Sequence, residues 1–148
     1  MATINSSTGL RVAMLAGPGV KPSMDGSEIR IYGGIRPAAA DDSLGAAVLL
    51  CTVRLGGSTG IVFDATTSGL LTKPSGDTWT GNNVASGTAT WFRIVQPADT
   101  GAASTTAPRI QGSVGVVGAD LNLDTVALIS GLPTPVTSFN IGIYAQLP

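Results

Sequence analysis

Histidine is absent from the 148 residues, and cysteine occurs once, as Cys51. Without histidine the chain lacks the commonest general base and the commonest neutral metal ligand, and no Ser-His or Cys-His dyad can form. A single cysteine cannot form an intramolecular disulfide, and small secreted domains that depend on such bonds usually carry an even number. The sequence therefore predicts that the protein is not an enzyme, and its cysteine use is typical of a protein made in a reducing compartment.

Charged side chains are also scarce. They make up 11% of the chain, against roughly 25% in a typical soluble domain. The eight basic and nine acidic residues are scattered singly, so no positive patch indicates a nucleic acid or an anionic membrane as partner. The longest apolar run, residues 46–51, is far shorter than the roughly 20 residues of a membrane-spanning helix. We expect neither nucleic acid nor a membrane as partner, and no signal peptide.

Two short motifs resemble ligand-binding loops but depart from them at the decisive positions. Residues 17–23 contain glycines, a lysine and a hydroxyl, yet their spacing differs from that of a phosphate-binding loop, and proline follows the lysine. Residues 120–124 open like a calcium loop, but Thr125 stands where the loop needs glycine, and Gly131 stands where it needs glutamate. We therefore predict a turn and a strand at these positions, with no cofactor and no metal.

Short alternating segments dominate the rest of the chain. The 20 glycines and nine prolines recur every few residues and leave no window for a long helix. Between them apolar residues alternate with a period of two, which is typical of β-strands. The alternation is clearest over residues 136–147 and recurs over 10–16, 27–31, 45–55, 60–64, 77–80, 88–95, 110–117 and 121–129. This pattern predicts an all-β fold, a single antiparallel β-sandwich domain of the jelly-roll type with long Gly/Ser/Thr-rich loops.

The domain is predicted to span residues 9–148, preceded by an arm of residues 1–8. The first seven residues are polar and carry no alternation, and Ile4 is their one apolar anchor. Polar terminal segments of this kind are usually disordered unless a partner holds them. We expect the arm to lie across a neighbouring subunit, with Ile4 in the interface.

The strand over residues 88–95 has apolar residues on both faces. Phe92 and Ile94 alternate with Trp91 and Val95, and Arg93 shares the face of Trp91. A solvated strand face does not normally expose tryptophan and valine side by side, and Trp and Arg are enriched at the centres of interfaces. We expect a partner to cover the face of Trp91 and Arg93. The alternative is that Trp91 lies in the core and Phe92 faces a loop.

Three stretches are more specific than the composition: GTATWFRI at residues 87–94, RIQGSVG at 109–115 and GADLNL at 118–123. In this order they resemble the small structural proteins that tailed phages encode beside their major capsid protein. The resemblance implies a head decoration, or cement, protein, made in the host cytoplasm, that sits on the outside of the virion capsid. Its implied partners are the major capsid protein and copies of itself, as a dimer or trimer. The resemblance assigns no role to any individual residue.

The scarcity of charge agrees with this implied function, because a surface poor in charge is suited to burial in large interfaces. The alternative to such an assembly is a monomer whose surface is rich in Thr and Ser. At the level of function, similar compositions occur in phage tail, fibre and head-spike proteins. A carbohydrate-binding jelly-roll module is the main alternative from another class, and it would need an exposed aromatic platform or a calcium site.

Overall fold

The computed structural model describes residues 4–65 and 69–142. Two short helices lie near the start of the chain, α1 (Thr8–Ala16) and α2 (Val20–Met24). The strands of the described residues are β1 (Asn5–Ser6), β2 (Glu28–Gly33), β3 (Val48–Leu55), β4 (Asp64–Ala65), β5 (Leu70–Thr72), β6 (Trp79–Asn82), β7 (Gly87–Thr88), β8 (Trp91–Val95), β9 (Arg109–Gly115), β10 (Leu121–Asn122), β11 (Ala127–Leu128), β12 (Pro133–Val136) and β13 (Asn140–Gly142).

An eight-stranded sheet forms the body of the molecule. Its order is β1-β9-β8-β2-β3-β6-β12, and β10 pairs with the end of β9. A three-stranded sheet has the order β13-β5-β4, and β11 pairs with β7. Among the described strands, every pairing is antiparallel apart from that of β10 with β9, which is parallel. The predicted all-β antiparallel sandwich is confirmed.

The core lies between one face of the large sheet and the three-stranded sheet. Alternate residues of the central strands enter it from the large sheet, and Leu71 and Ile141 enter it from the opposite side. Aromatic rings fill the space between the two sheets. The rings of Phe63 and Trp79 meet edge to face with centroids 5.4 Å apart, and those of Phe92 and Phe139 do so at 5.6 Å. Such edge-to-face pairs add stability beyond the apolar area that they bury.

The two helices close one end of this core. Leu10 of α1 and Met24 of α2 are both buried in it. Helix α1 begins at Ser7, whose hydroxyl oxygen accepts a hydrogen bond from the Leu10 N–H at 3.1 Å and caps the first turn. The prediction of a strand over residues 10–16 is therefore wrong. Seven residues rich in Ala, Leu and Met satisfy a period of two as well as a helical one, and these residue types favour the helix.

Two further predicted strands are interrupted. The segment 121–129 forms β10 and β11 with a turn between them, because the backbone leaves β9 to pair with β7. The segment 136–147 begins in the last residue of β12 and continues in β13, and residues 143–148 lie outside the described residues. Residues 17–23, predicted as a turn, contain the start of α2.

Cys51 lies in β3 and is fully buried, in agreement with its place in the most apolar predicted strand. Burial raises the pKa of its thiol to about 11, which keeps the sulfur protonated at neutral pH. The neighbouring β6 approaches β3 so closely that a Cβ at Gly81 would lie 2.0 Å from the Thr52 carbonyl oxygen.

In the described part of the chain, no helix has the length and apolar character that crossing a membrane requires.

Candidate assembly surface

The face of the large sheet that points away from the core is covered by the chain itself. Two loops lie across it, residues 34–47 between β2 and β3 and residues 96–108 between β8 and β9. We call them the covering loops. They are joined to each other where the Leu44 N–H donates to the Gly101 carbonyl at 3.1 Å and the Ser104 N–H to the Asp41 carbonyl at 2.8 Å. The face is therefore closed by backbone from within the same molecule.

Trp91 and Arg93 lie beneath the covering loops and are each only 1% exposed. Trp91 stacks on Tyr32 with ring centroids 4.4 Å apart, and the guanidinium carbon of Arg93 lies 5.4 Å from the Trp91 ring centroid. The prediction that both faces of this strand are covered is correct, but the predicted partner subunit is wrong as the cover. The physical reason is that the 34–47 and 96–108 segments fold back over the sheet, so Trp91 and Arg93 cannot reach another protein.

Arg93 has no carboxylate among the hydrogen-bond acceptors that the structure describes for it. Its Nε and Nη2 both donate to the Gln111 side-chain oxygen, at 3.1 and 2.7 Å, and its Nη1 donates to the Asp42 carbonyl at 3.0 Å. The Gln111 amide nitrogen in turn donates to the Pro37 carbonyl at 2.8 Å. Burial, and then repulsion by Arg109, lowers the pKa of Arg93. The cation is held by amide dipoles and by the ring of Trp91, so it ties the first covering loop to the sheet.

Arg109 ties down both covering loops through a buried ion pair. Its Nε and Nη2 donate to the two carboxylate oxygens of Asp99 at 2.6 and 2.9 Å, and the two side chains are 2% and 4% exposed. Its remaining donors reach the carbonyls of Ala40 at 3.2 Å and Ala102 at 2.7 Å. Burial raises the pKa of Asp99, but hydrogen bonds from Arg109 and from the Gly101 N–H outweigh it, so that the pKa is lowered overall.

A third basic group completes this layer at the start of β2. The carboxylate of Glu28 accepts from Arg30 Nε at 2.7 Å and from Arg54 Nε at 2.8 Å. Arg30 also donates to the Asp99 carbonyl at 2.7 Å and to the Pro97 carbonyl at 3.2 Å. Arg30, Arg93 and Arg109 therefore serve as internal clamps for the covering loops.

A shallow depression of about 320 Å³ lies beside the Arg109–Asp99 pair. Small side chains of the second covering loop line it, and its two charged groups are already bonded to each other. Among residues 4–65 and 69–142, no three His, Cys, Asp or Glu side chains lie close enough together to hold a metal ion. Asp120, from the calcium-like motif, instead accepts hydrogen bonds from the N–H and hydroxyl of Ser113.

Ile4 is partly buried against the core of its own chain. The residues that follow it form β1, in which Asn5 lies opposite Gln111 and Ser6 opposite Ile110. Ser7 then donates its hydroxyl to the Ala107 carbonyl at 2.7 Å and caps α1. Residues 4–8 are thus an integral part of the domain, and the predicted arm is wrong over this part. Residues 1–3 of the predicted arm lie outside the described residues.

Deleting residues 1–7 is accordingly expected to destabilise the isolated domain. The variant loses β1 and the Ser7 cap, and a cap alone is worth about 0.5–2 kcal/mol. We expect a lower free energy of unfolding in urea, whereas deletion of residues 1–3 alone serves as the matched control. Unchanged unfolding together with weakened subunit association would contradict this expectation and restore the arm.

The exposed apolar side chains lie at the two ends of the large sheet. Among the described residues, eleven large apolar side chains are exposed. Seven of them lie at the end where β2 and β9 finish and where β3 and β8 begin, and we call this set the apolar rim. Its members are Ile35, Val48, Val84, Val116, Val117, Ile129 and Leu132.

The strand register places the apolar rim along one edge of the molecule. Val116 and Val117 follow β9, Ile35 follows β2, and Val48 opens β3 opposite Gly33. Backbone hydrogen bonds hold the rim together: the Val84 N–H donates to the Leu50 carbonyl, and the Asn83 N–H to the Leu132 carbonyl, at 2.8 and 2.9 Å. The rim residues adjoin β9, β2, β3, β6 and β12, and β8 lies between β9 and β2 without contributing one. Since this span covers six neighbouring strands about 4.8 Å apart, the rim is about 24 Å long.

The other four exposed apolar side chains lie at the opposite end. Val12, Met14 and Leu15 project from α1, and Leu15 is 89% exposed. Val62 lies beside the end of α2, where the adjoining Ile61 accepts from the Gly26 N–H at 2.8 Å. We call α1 with Val62 the helical end. Leu10 is the one buried residue of α1, so most of the apolar surface of this helix points outward.

Sequence reasoning identified neither of these surfaces. The apolar rim is assembled at four separate connections between strands, and each of them contributes one or two apolar residues that look unremarkable alone. A usable signal was the pair of valines at 116–117 between Gly115 and Gly118, since connecting segments usually run over the surface. For α1 the signal was helical spacing, which the alternating interpretation concealed.

Comparison with known proteins adds no family. No family model, no curated protein and no solved structure matches this chain.

Proposed function

We propose that this protein is a structural component of a phage particle that binds the outside of the capsid lattice and clamps neighbouring capsid subunits. The observation that carries the proposal is the distribution of exposed apolar side chains, seven at the apolar rim and four at the helical end. A clamp needs two separate attachment surfaces on one rigid body. This domain offers one attachment surface at each end, and the covering loops close the outer face of its large sheet.

The size of the apolar rim is sufficient for a specific contact. A fully buried Val, Leu or Ile side chain contributes about 1.5–3 kcal/mol. The rim residues range from 53% to 91% exposed, so covering all seven would contribute on the order of 10 kcal/mol before the entropic cost of association. Groups of exposed apolar side chains at one end of a soluble protein, when they form a patch, mark interaction sites.

The chemistry of the surface indicates protein partners. The chain has a formal net charge of −1, and its arginines on the covered face are occupied by internal hydrogen bonds. An apolar surface with few charges fits another folded protein better than a polyanion. The proposed partners are the major capsid protein and further copies of this chain.

The proposal is tested by measuring the stability of particles with and without the protein. A ligand that binds only the assembled state stabilises it, so particles lacking the protein should break at lower temperature or under milder osmotic shock. Adding back the purified protein should restore resistance. Val117→Asp, at a rim residue that is 89% exposed, should restore it poorly, whereas Ser43→Asp on a covering loop should restore it fully. Identical breakage with and without the protein would contradict the proposal.

A tail or fibre protein is the second candidate, because two apolar ends also suit a subunit that stacks end to end. Labelled antibody against the protein, imaged on intact particles, distinguishes head from tail.

A carbohydrate-binding module is not favoured by the structure. Its aromatic platform would need exposed rings, and the six aromatic side chains that the structure describes are all buried; they are Tyr32, Phe63, Trp79, Trp91, Phe92 and Phe139.

A further inference from the structure

We infer that acid opens the covering loops while the sandwich core stays folded, so that the outer face around Trp91 becomes accessible before the protein unfolds. This opening is a property of the isolated chain and does not rest on the proposed function. It follows from the separation of charge from the core. The buried ion pairs lie on the outer face of the large sheet, beneath the covering loops, whereas the aromatic core lies on the inner face.

The layer beneath the covering loops holds more guanidinium groups than carboxylates. Arg30, Arg93 and Arg109 each donate to a backbone carbonyl of a covering loop. The carboxylates bonded to these side chains are those of Glu28 and Asp99, which are 3% and 4% exposed. Arginine stays charged throughout the acid range, so a carboxylate that takes up a proton here leaves a guanidinium beneath the loops without its counterion.

Asp99 is the carboxylate that joins a covering loop to the sheet. Arg109 of β9 donates to it, and Arg30 of β2 donates to its backbone carbonyl. Tyr32 and Arg93 are the other titratable side chains that interact with it electrostatically. Burial raises the pKa of Asp99, but hydrogen bonds, chiefly from Arg109, lower it overall from its ordinary value of 3.8. The attachment is therefore intact above that pH and is lost as the pH falls through the lowered value.

The first covering loop has an acid-sensitive attachment of its own. The Asp41 carboxylate accepts from the Thr8 N–H at 2.8 Å and from the Thr8 hydroxyl, which joins this loop to the start of α1. These hydrogen bonds lower the pKa of Asp41, and the nearby charges of Arg11 and Arg109 act in the same direction. Because the Ser104 N–H also donates to the Asp41 carbonyl, the two loops are released together.

The core on the inner face contains no group that acid protonates among the described residues. Cys51 is its one titratable side chain, and burial raises the pKa of the thiol to about 11, so it is already neutral at neutral pH. The edge-to-face pairs of Phe63 with Trp79 and of Phe92 with Phe139 carry no charge. Acid therefore weakens the attachment of the loops and leaves the packing of the core unchanged, which gives the two parts different stabilities.

The two tryptophans of the chain report separately on the two parts. Trp91 lies beneath the covering loops and Trp79 lies in the core, and each is 1% exposed. Trp79→Phe leaves Trp91 as the reporter of the covering loops, and Trp91→Phe leaves Trp79 as the reporter of the core. Acrylamide quenching of their fluorescence is measured from about pH 7 to about pH 2. We expect quenching of Trp91 to rise below about pH 4, where quenching of Trp79 and the far-ultraviolet circular dichroism are still unchanged.

Replacing Asp99 with asparagine should loosen the covering loops without acid. In the Trp79→Phe background, Asp99→Asn should raise the quenching of Trp91 at neutral pH and reduce the further rise in acid, because the titrating carboxylate is gone. Asp124→Asn in the same background is the matched control. It removes an exposed carboxylate outside the covering loops and should behave as its parent does.

Quenching that rises at the same pH for both tryptophans would overturn the inference, since loops and core would then unfold together. An acid response of Asp99→Asn as large as that of its parent would do so as well. If a single-tryptophan variant fails to fold, hydrogen exchange of the wild type replaces it. The Leu44 and Ser104 amides, which bond the two loops together, should lose protection below about pH 4 while the amides of β2 keep theirs. Simultaneous loss of protection in both would count against the inference in the same way.

Discussion

Replacing Trp91 with alanine is expected to lower the free energy of unfolding by about 3–5 kcal/mol, the usual cost of removing a large buried aromatic side chain. Trp91 is 1% exposed, stacks on Tyr32 and carries the Arg93 guanidinium over its ring. The truncation therefore leaves a cavity and removes a partner of a buried cation. Urea denaturation of the isolated chain measures the effect.

Two control variants separate packing from other roles of Trp91. Trp91→Phe retains a ring on Tyr32 and removes an indole N–H that has no hydrogen-bond partner among the described residues, so it should cost clearly less than alanine. Val117→Ala on the apolar rim should change stability by no more than about 0.5 kcal/mol. A Trp91→Ala chain that keeps its stability and instead loses association would return this residue to an intersubunit contact.

The central strands of the large sheet could be predicted from the sequence because their alternation is tied to burial. Phe92 and Ile94 enter the core as their spacing predicts, and so do Ile29 and Ile31 of β2. Alternation of one residue in two is imposed by the pleat, and a core on one side selects it strongly. The same logic failed for α1, where seven residues fit both a helix and a strand.

What covers the outer face of the large sheet could not be predicted. The pattern around Trp91 indicates that the face is buried, but it does not distinguish burial by a partner from burial by the same chain. The acceptors that hold Arg93 and Arg109 there include the backbone carbonyls of Asp42, Ala40 and Ala102. Since every residue type has a carbonyl, this contact leaves no signature in the loop sequences. The available hint was Arg93 and Gln111 on strands otherwise rich in apolar residues.

Replacing Asp99 with asparagine is expected to lower the free energy of unfolding by about 3–5 kcal/mol, because the charge of Arg109 then stays buried without its counterion. Because the aspartate and asparagine side chains are nearly equal in size, the substitution changes only charge and hydrogen bonding at position 99. Arg109→Met removes the other partner and should cost a similar amount. The double variant should cost less than the sum of the two, since it leaves no unpaired charge, and urea denaturation of all four proteins gives the coupling.

The acid dependence of stability provides an independent readout of the same ion pair. The pKa of Asp99 is lowered in the folded state from its ordinary value of 3.8, so its contribution is fully present above that pH and is lost as the pH falls through the lowered folded value. Hydrogen bonds from Thr8 also lower the pKa of Asp41, which acts in the same direction. We therefore expect wild-type stability to fall below about pH 4 more steeply than that of Asp99→Asn. Of these two contributions to the acid dependence, the variant retains only that of Asp41. Parallel acid profiles for the two proteins would show that the Arg109–Asp99 pair does not hold the covering loops.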